Sequence, residues 1–303
     1  MATVEIDGIV KRFGTVEALR GVSLSVSRGE LFGLIGPDGA GKSTLLRVLA
    51  TLLPADGGKA RVEGMDVEKE YRQIRPRVGY MPARFSLYPD LTVEENLQLF
   101  ATVFHATVEE NYALVREIYE HLLPFKKRRA AALSGGMKQK LALCCALIHA
   151  PSVLFLDEPT TGVDPVSREE FWRVLGALKR RGITILVSTP YMDEARLCDR
   201  VALVRAGRFL DTGTPTEIVE RHGRMIWAAR GHDMPALLAD LRAHPFVESC
   251  FAFGDWHHAT PSPGASLARL REAMEALGHR EVEIRETPPC IEDCFIRFAS
   301  CQA

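Results

Sequence analysis

Residues 3 to 35 alternate apolar and polar positions, with Val4, Ile6, Val22, Leu24 and Val26 on the apolar side and Gly14, Gly21 and Gly29 as breaks. A period of two punctuated by glycine predicts an antiparallel β portion. It closes on Glu30-Leu-Phe-Gly-Leu-Ile35, which reads as a strand, and Leu45 to Ala50 reads as the helix that follows. Pro54-Ala-Asp-Gly-Gly58 interrupts the pattern, and Lys59 to Val67 returns to short strand. Thr92-Val-Glu-Glu-Asn96 and Thr107-Val-Glu-Glu-Asn111 each place a threonine three residues ahead of a glutamate at the head of an apolar-periodic run. At that spacing the two side chains satisfy each other's free backbone N–H groups, so both segments are expected to start helices.

From Leu133 the pattern becomes helix through Leu147, strand Val153 to Leu156, helix Ser167 to Arg180 and strand Ile183 to Ser188. Phe171, Val174, Leu175 and Leu178 share one helical face, which is expected to lie on a sheet. Helices alternating with wholly apolar strands predict a parallel sheet covered on both sides, hence an α/β fold. After residue 221 the pattern is strand (225–230), helix (235–243), strands (247–253 and 256–259), helix (266–277), strand (281–285) and helix (291–299), a small α+β domain. The expected division is therefore 1–221 and 222–303, with a helical subdomain over about 84–145.

The 303 residues, 47% hydrophobic and 25% charged, suit one large and one small globular domain and exclude disorder. Lys plus Arg (38) nearly balance Asp plus Glu (39), so no bulk attraction to nucleic acid is expected, and none is assigned as a partner. Lys126-Lys-Arg-Arg129 reads as a solvated surface run, with a partner or lipid contact as the lesser alternative. No apolar stretch reaches the roughly 18 to 20 residues of a membrane span, and Glu5 and Asp7 argue against a secretory signal. Seven scattered cysteines without C-x-x-C spacing fit buried thiols in a reducing cytoplasm. Zinc on Cys290 and Cys294, one helical turn apart, is a minor alternative, as is a metal role for His244, His257 or His258.

Between the strand ending at Ile35 and the helix at Leu45 stands Gly36-Pro37-Asp38-Gly39-Ala40-Gly41-Lys42-Ser43-Thr44, a G-x-x-x-x-G-K-[ST] loop. Its glycines let successive N–H groups converge on one anion at the positive end of a helix. Lys42 is then expected to reach the outer phosphates of a nucleoside triphosphate and Ser43 to put its hydroxyl on the Mg2+. Val153-Leu-Phe-Leu-Asp157-Glu158 ends a buried strand in two carboxylates, one suited to magnesium and the next to orienting an attacking water.

Leu133-Ser134-Gly135-Gly136-Met137, followed by Lys-Gln-Lys-Leu-Ala-Leu143 and by Asp157-Glu-Pro-Thr-Thr-Gly-Val-Asp164-Pro165, resembles the nucleotide-binding subunit of ATP-binding cassette (ABC) transporters over about residues 3–220. The resemblance implies a P-loop NTPase with an antiparallel β subdomain and a helical subdomain. It also implies ATP and Mg2+ as cofactors, Phe13 stacked on adenine, Glu158 as catalytic base and Asp164 in a loop that crosses between subunits. Ser134, Gly135 and Gly136 would bind the γ-phosphate of ATP held by a second ABC ATPase subunit, so that two nucleotides are sandwiched head to tail. The short spacing between the two motifs fits transporters, whose ATPase works with an integral-membrane permease and lies in the cytoplasm, peripheral on the inner face of the membrane. Pro288-Pro-Cys-Ile-Glu-Asp-Cys-Phe-Ile296 is similar to an ending common in bacterial exporter ATPases, implying an accessory domain that stabilises or regulates the dimer, or is purely structural.

This chain departs from that family where it has Ala83 in place of a glutamine and Pro190 in place of a histidine. Neither side chain offers a hydrogen bond, and proline lacks even the backbone N–H. Asp38, where many relatives have asparagine, is a lesser departure. The expected function is an exporter's ATP-binding subunit with an impaired site of its own, paired with an intact cassette. A silent regulatory subunit and a non-transport soluble ABC ATPase are the alternatives.

Overall fold

The computed structural model describes residues 2–84 and 87–301; Phe85 and Ser86, inside the expected helical subdomain, fall outside the described residues, as does the side chain of Cys301. The chain divides into two compact units, Met1–Pro215 and Thr216–Ala303. The division comes six residues earlier than the expected one after 221. The helix beginning at Pro215 belongs with the second unit, where the Ile218 carbonyl accepts from Cys294 Sγ at 3.7 Å.

The first unit runs β1 (Ala2–Phe13), β2 (Val16–Ser27), β3 (Leu31–Ile35), α1 (Lys42–Leu49), β4 (Gly57–Val62), β5 (Met65–Asp66), α2 (Tyr71–Ile74), β6 (Val78–Met81), α3 (Val93–Val103) and α4 (Val108–Tyr119). It continues through α5 (Gly135–Leu147), β7 (Val153–Asp157), α6 (Pro165–Arg180), β8 (Thr184–Thr189), β9 (Arg200–Arg205) and β10 (Arg208–Gly213). Strands β2-β1-β4-β5 form an antiparallel sheet, and β10-β9-β3-β8-β7-β6 form a second sheet that is parallel except for β10. The alternation over 3–35 thus spans two sheets: β1 and β2 alternate in burial, whereas β3 is buried at every position and joins the parallel sheet. The segment 59–67 is a hairpin rather than one strand, because Glu63 and Gly64 both take positive φ.

One core contains Val4, Ile6 and Leu24 of the antiparallel sheet, Leu45, Leu46 and Leu49 of α1, and Phe32 and Phe155 of the parallel sheet. Burying each such side chain contributes about 1.5 to 3 kcal/mol, which locks α1 and the loop before it between the sheets. Both expected capping boxes are present, with Thr92 accepting from Glu95 N–H and Thr107 from Glu110 N–H, each at 3.2 Å. Buried Asn96 of α3 donates to the carbonyls of Tyr88, Leu91 and Thr92 and accepts from Tyr88 N–H, so it pins the turn leading into the helix.

The second unit holds α7 (Pro215–His222), β11 (Ile226–Arg230), α8 (Met234–Ala243), β12 (Val247–Phe253), β13 (Trp256–Pro261), α9 (Leu267–Ala276), β14 (Glu283–Thr287) and α10 (Ile291–Cys301). Its antiparallel sheet, in the order β12-β13-β11-β14, shares a core with α8 and α9 built on Trp227, Leu237, Leu241, Leu270 and Met274. Cys144, Cys145, Cys198, Cys250 and Cys294 are buried as expected of structural thiols, whereas Cys290 is exposed. Among the described residues no helix is long and apolar enough to cross a membrane.

Candidate nucleotide-binding site

Strand pairing brings the carboxyl ends of β3, β8, β7 and β6 side by side, with Ile35 opposite Thr189, Asp157 opposite Ser188 and Met81 opposite Leu156. The segments leaving these ends are the glycine loop, Pro190, Glu158 and Pro82-Ala83, so one rim of the sheet collects the residues the sequence singles out there. Ligands of open parallel sheets bind at such a rim.

Two glycines of the loop are required by space. A Cβ at Gly36 would stand 2.1 Å from the Val204 carbonyl oxygen, and one at Gly41, whose φ is +105°, would stand 2.4 Å from that of Ala18. Gly36 N–H donates to Thr189 O at 3.2 Å, and Ala40 N–H closes a turn on Pro37 O at 3.2 Å, leaving Pro37, Asp38 and Gly39 exposed. Gly41 caps α1 with no side chain, so the helix's leading N–H groups, which include those of Ser43 and Thr44, have no side-chain partner at its positive end.

Lys42 is buried, and its Nζ donates to the carbonyls of Gly36 (2.7 Å) and Pro37 (2.9 Å) while lying 3.2 Å from Glu158 Oε1. Ser43 Oγ donates to Asp157 Oδ1 at 2.8 Å. Ser188 Oγ donates to the same oxygen at 2.8 Å and accepts from Glu158 N–H at 3.0 Å. The other oxygen, Asp157 Oδ2, is buried with no hydrogen-bond partner among the described residues. An orphaned carboxylate oxygen beside a serine hydroxyl is a donor set that fits Mg2+, a hard cation. Glu158 sits at φ +50°, a strained backbone held by two acceptors on its N–H, Ser188 O at 3.1 Å and Ser188 Oγ. Ser188 carries no motif of its own; only its register opposite Asp157 reveals it. Tyr80 is a second residue the motifs miss: burial, then the negative Asp157, push its hydroxyl above the ordinary tyrosine range.

A separate group forms around the head of α5. Ser134 caps the helix by accepting from Met137 N–H at 3.4 Å, Gly135 is exposed, and a Cβ on Gly136 would meet Ser167 Oγ at 2.9 Å. Asp164 caps α6 by accepting from Ser167 N–H at 2.9 Å, and that bond holds its carboxyl below the usual range. Phe13 ends β1, 50% exposed, with Lys11 Nζ 5.7 Å from its ring.

The family description "ABC transporter" matches residues 19–161. The chain is 37% identical over 309 residues to Nod factor export ATP-binding protein I of Rhizobium sp. (strain N33), covering 98% of each protein. It belongs to the ABC transporter ATP-binding family. It is also 42% identical over 217 residues to the probable multidrug ABC transporter ATP-binding protein YbhF of Escherichia coli (strain K12). That match takes in 71% of this chain and spans 38% of the length of that relative. Among solved structures, the dimeric post-hydrolysis cassette MJ0796 bound to ADP and Pi matches with TM-score 0.63 and 26% identity, over 70% of this chain and 98% of that one. A nucleotide-free ABC transporter cassette matches with TM-score 0.65 and 27% identity, over 74% and 96%. ABC ATPases as a family bind and hydrolyse ATP with Mg2+. Within this family member's rim, Ala83 is exposed beyond β6, and Pro190 directly follows Thr189, whose carbonyl anchors the loop.

Proposed function

We propose that this chain is the ATP-binding subunit of an exporter, that its own loop holds MgATP but turns it over slowly, and that its Ser134-Gly135-Gly136 turn completes a competent site on a second, intact cassette. The observation that carries the reading is the rim itself. It pairs Lys42 with Glu158 and Ser43 with Asp157, but has alanine and proline at the two remaining positions.

In this account the N–H groups of residues 39–44 cradle the phosphates, and Lys42 leaves the Gly36 and Pro37 carbonyls to meet their charge. Ser43 and Asp157 Oδ2 would hold Mg2+, which would supply positive charge to offset that of the phosphates. Phe13 offers its exposed ring to adenine. Glu158 orients the attacking water and accepts its proton. Each missing contact to the transition state costs about 100-fold to 1000-fold, or about 3 to 4 kcal/mol, so the loss of two leaves binding intact and turnover low. The same gaps favour a second reading, a regulatory subunit that clamps ATP without turnover.

Export rests on the relatives, named for Nod factor export and multidrug transport. In this reading the permease docks beside the end of β6. An apolar groove of about 390 Å³ lies between Tyr80, Met81 and Pro82 at the end of β6 and Phe100, Val103 and Phe104 on or just after α3. Docking there puts the subunit on the inner face of the membrane, and the permease selects the cargo.

The test is titration of the purified chain with ATP in Mg2+, beside Lys42→Ala. Micromolar to millimolar binding lost in the variant supports the reading. Equal affinity in both proteins, or none in either, sinks it.

A further inference from the structure

The second unit carries a group of side chains that the nucleotide site does not use. His258 lies on β13, with its ring stacked at 4.3 Å on Phe253. Asp293 lies in the first turn of α10, and Cys290 is the residue before that helix starts. His258 Nδ1 is 3.0 and 3.1 Å from the two oxygens of Asp293, and Cys290 N–H donates to Asp293 Oδ2 at 2.7 Å. One imidazole nitrogen, the Cys290 sulfur and one carboxylate oxygen all lie within 4.8 Å of one another. His258 and Asp293 also line a cavity of about 410 Å³, with Arg224, Glu248 and Arg297.

We propose that His258, Cys290 and Asp293 form a divalent transition-metal site, with Zn2+ as the ion its donors select, tying β13 to the head of α10. Thiolate, imidazole and carboxylate together are a borderline-soft set that favours zinc over magnesium or calcium. Tetrahedral zinc bonded at about 2.0 to 2.3 Å separates its ligand atoms by about 3.3 to 3.6 Å. The cluster reaches that by closing about an ångström, within a side-chain adjustment. Three protein ligands leave the fourth position open to the cavity. There Arg297 Nη1, buried and without a hydrogen-bond partner among the described residues, favours an anion as the fourth ligand.

On loading, the Cys290 thiol gives its proton to solvent. The His258 proton sits on Nε2, so that Nδ1 turns from hydrogen-bond donor to ligand. The thiolate and carboxylate together match the zinc charge. A disulfide from Cys290 to its neighbour one helical turn on is not what the fold supports. Cys294, the partner that helical spacing suggests for Cys290, directs its sulfur to the Ile218 carbonyl instead.

The experiment uses the full chain, stripped of metal by a chelator and then titrated with Co2+ and Zn2+ without nucleotide. The expected result is one Co2+ per chain with a thiolate-to-cobalt charge-transfer band, displaced by Zn2+. Cys290→Ser keeps a helix-capping residue, so it is expected to fold, with far-ultraviolet circular dichroism as the check. It should lose the band and bind Zn2+ weaker by at least the ~10-fold that even an outer-shell change costs. His258→Gln should weaken Zn2+ to a similar degree, whereas Cys294→Ser should keep the band. No thiolate band in the unmodified chain, or a band that survives Cys290→Ser, would overturn the proposal. So would Zn2+ affinity unchanged by His258→Gln, which would leave these residues as a helix-capping network and nothing more.

Discussion

Replacing Ser188 by alanine tests the wiring beneath the nucleotide site without touching a residue of any motif. Its hydroxyl is one of two donors to buried Asp157 Oδ1, the other being Ser43, and Asp157 Oδ2 has no hydrogen-bond partner among the described residues. Alanine at 188 therefore removes one of the two hydrogen bonds that Asp157 Oδ1 accepts. A hydrogen bond to a charged group is worth about 1.5 to 3 kcal/mol. The Glu158 N–H loses Ser188 Oγ but keeps the Ser188 carbonyl at 3.1 Å, so no second group is orphaned and the estimate stays near 2 kcal/mol. In a unit of 215 residues each kcal/mol shifts the melting midpoint by about 2 to 4 °C. The expected fall is therefore about 4 to 8 °C in nucleotide-free protein. Because Asp157 is the residue assigned to Mg2+, ATP affinity should fall in Mg2+ and change little in a chelator. Thermal unfolding and paired ATP titrations read both effects. An unchanged midpoint, or an affinity loss of equal size with and without Mg2+, would refute the assignment of Asp157 and Ser188 to one metal-facing unit.

Three other outcomes are expected. In a complex co-purified with its intact partner cassette, Glu158→Gln should leave most steady-state ATP hydrolysis, whereas Gly135→Asp should remove most of it. Gly135 is exposed and its Cβ would make only an ordinary 3.5 Å contact with Gly162 O, so a loss on that substitution reports on phosphate contact and not on folding. Gly36→Ala should abolish ATP binding and lower stability, since its methyl would need the 2.1 Å space against Val204 O; native-like binding would contradict the loop geometry. Photo-cross-linkers at Tyr88 and Phe100 should capture a co-expressed permease in membranes, and a chain that stays wholly unlinked would favour the non-transport alternative.

Much of this arrangement was legible because the motifs sit on strong local signals. The apolar strands before Gly36 and Asp157 fixed where the loop and carboxylates emerge, and the Thr-x-x-Glu spacings marked the starts of α3 and α4. What was not legible depends on pairing between distant segments. Ser188 is 31 residues from Asp157, and only β7–β8 register makes them neighbours. His258 and Asp293 are 35 residues apart, so helical spacing pointed from Cys290 to Cys294 while the fold turns Cys294 toward α7. The strand β3 belongs to a different sheet from β1 and β2, which alternation alone does not distinguish from a continuing meander.

The central claim is that Ala83 and Pro190 silence an otherwise complete site, and steady-state ATP hydrolysis by the isolated chain tests it most directly, at concentrations high enough for self-association. The account predicts very slow turnover in the unmodified protein and a rise of about 100-fold or more on restoring both positions with Ala83→Gln and Pro190→His. Brisk hydrolysis by the unmodified chain would contradict it, as would a doubly restored protein that binds MgATP as tightly as before and turns it over no faster.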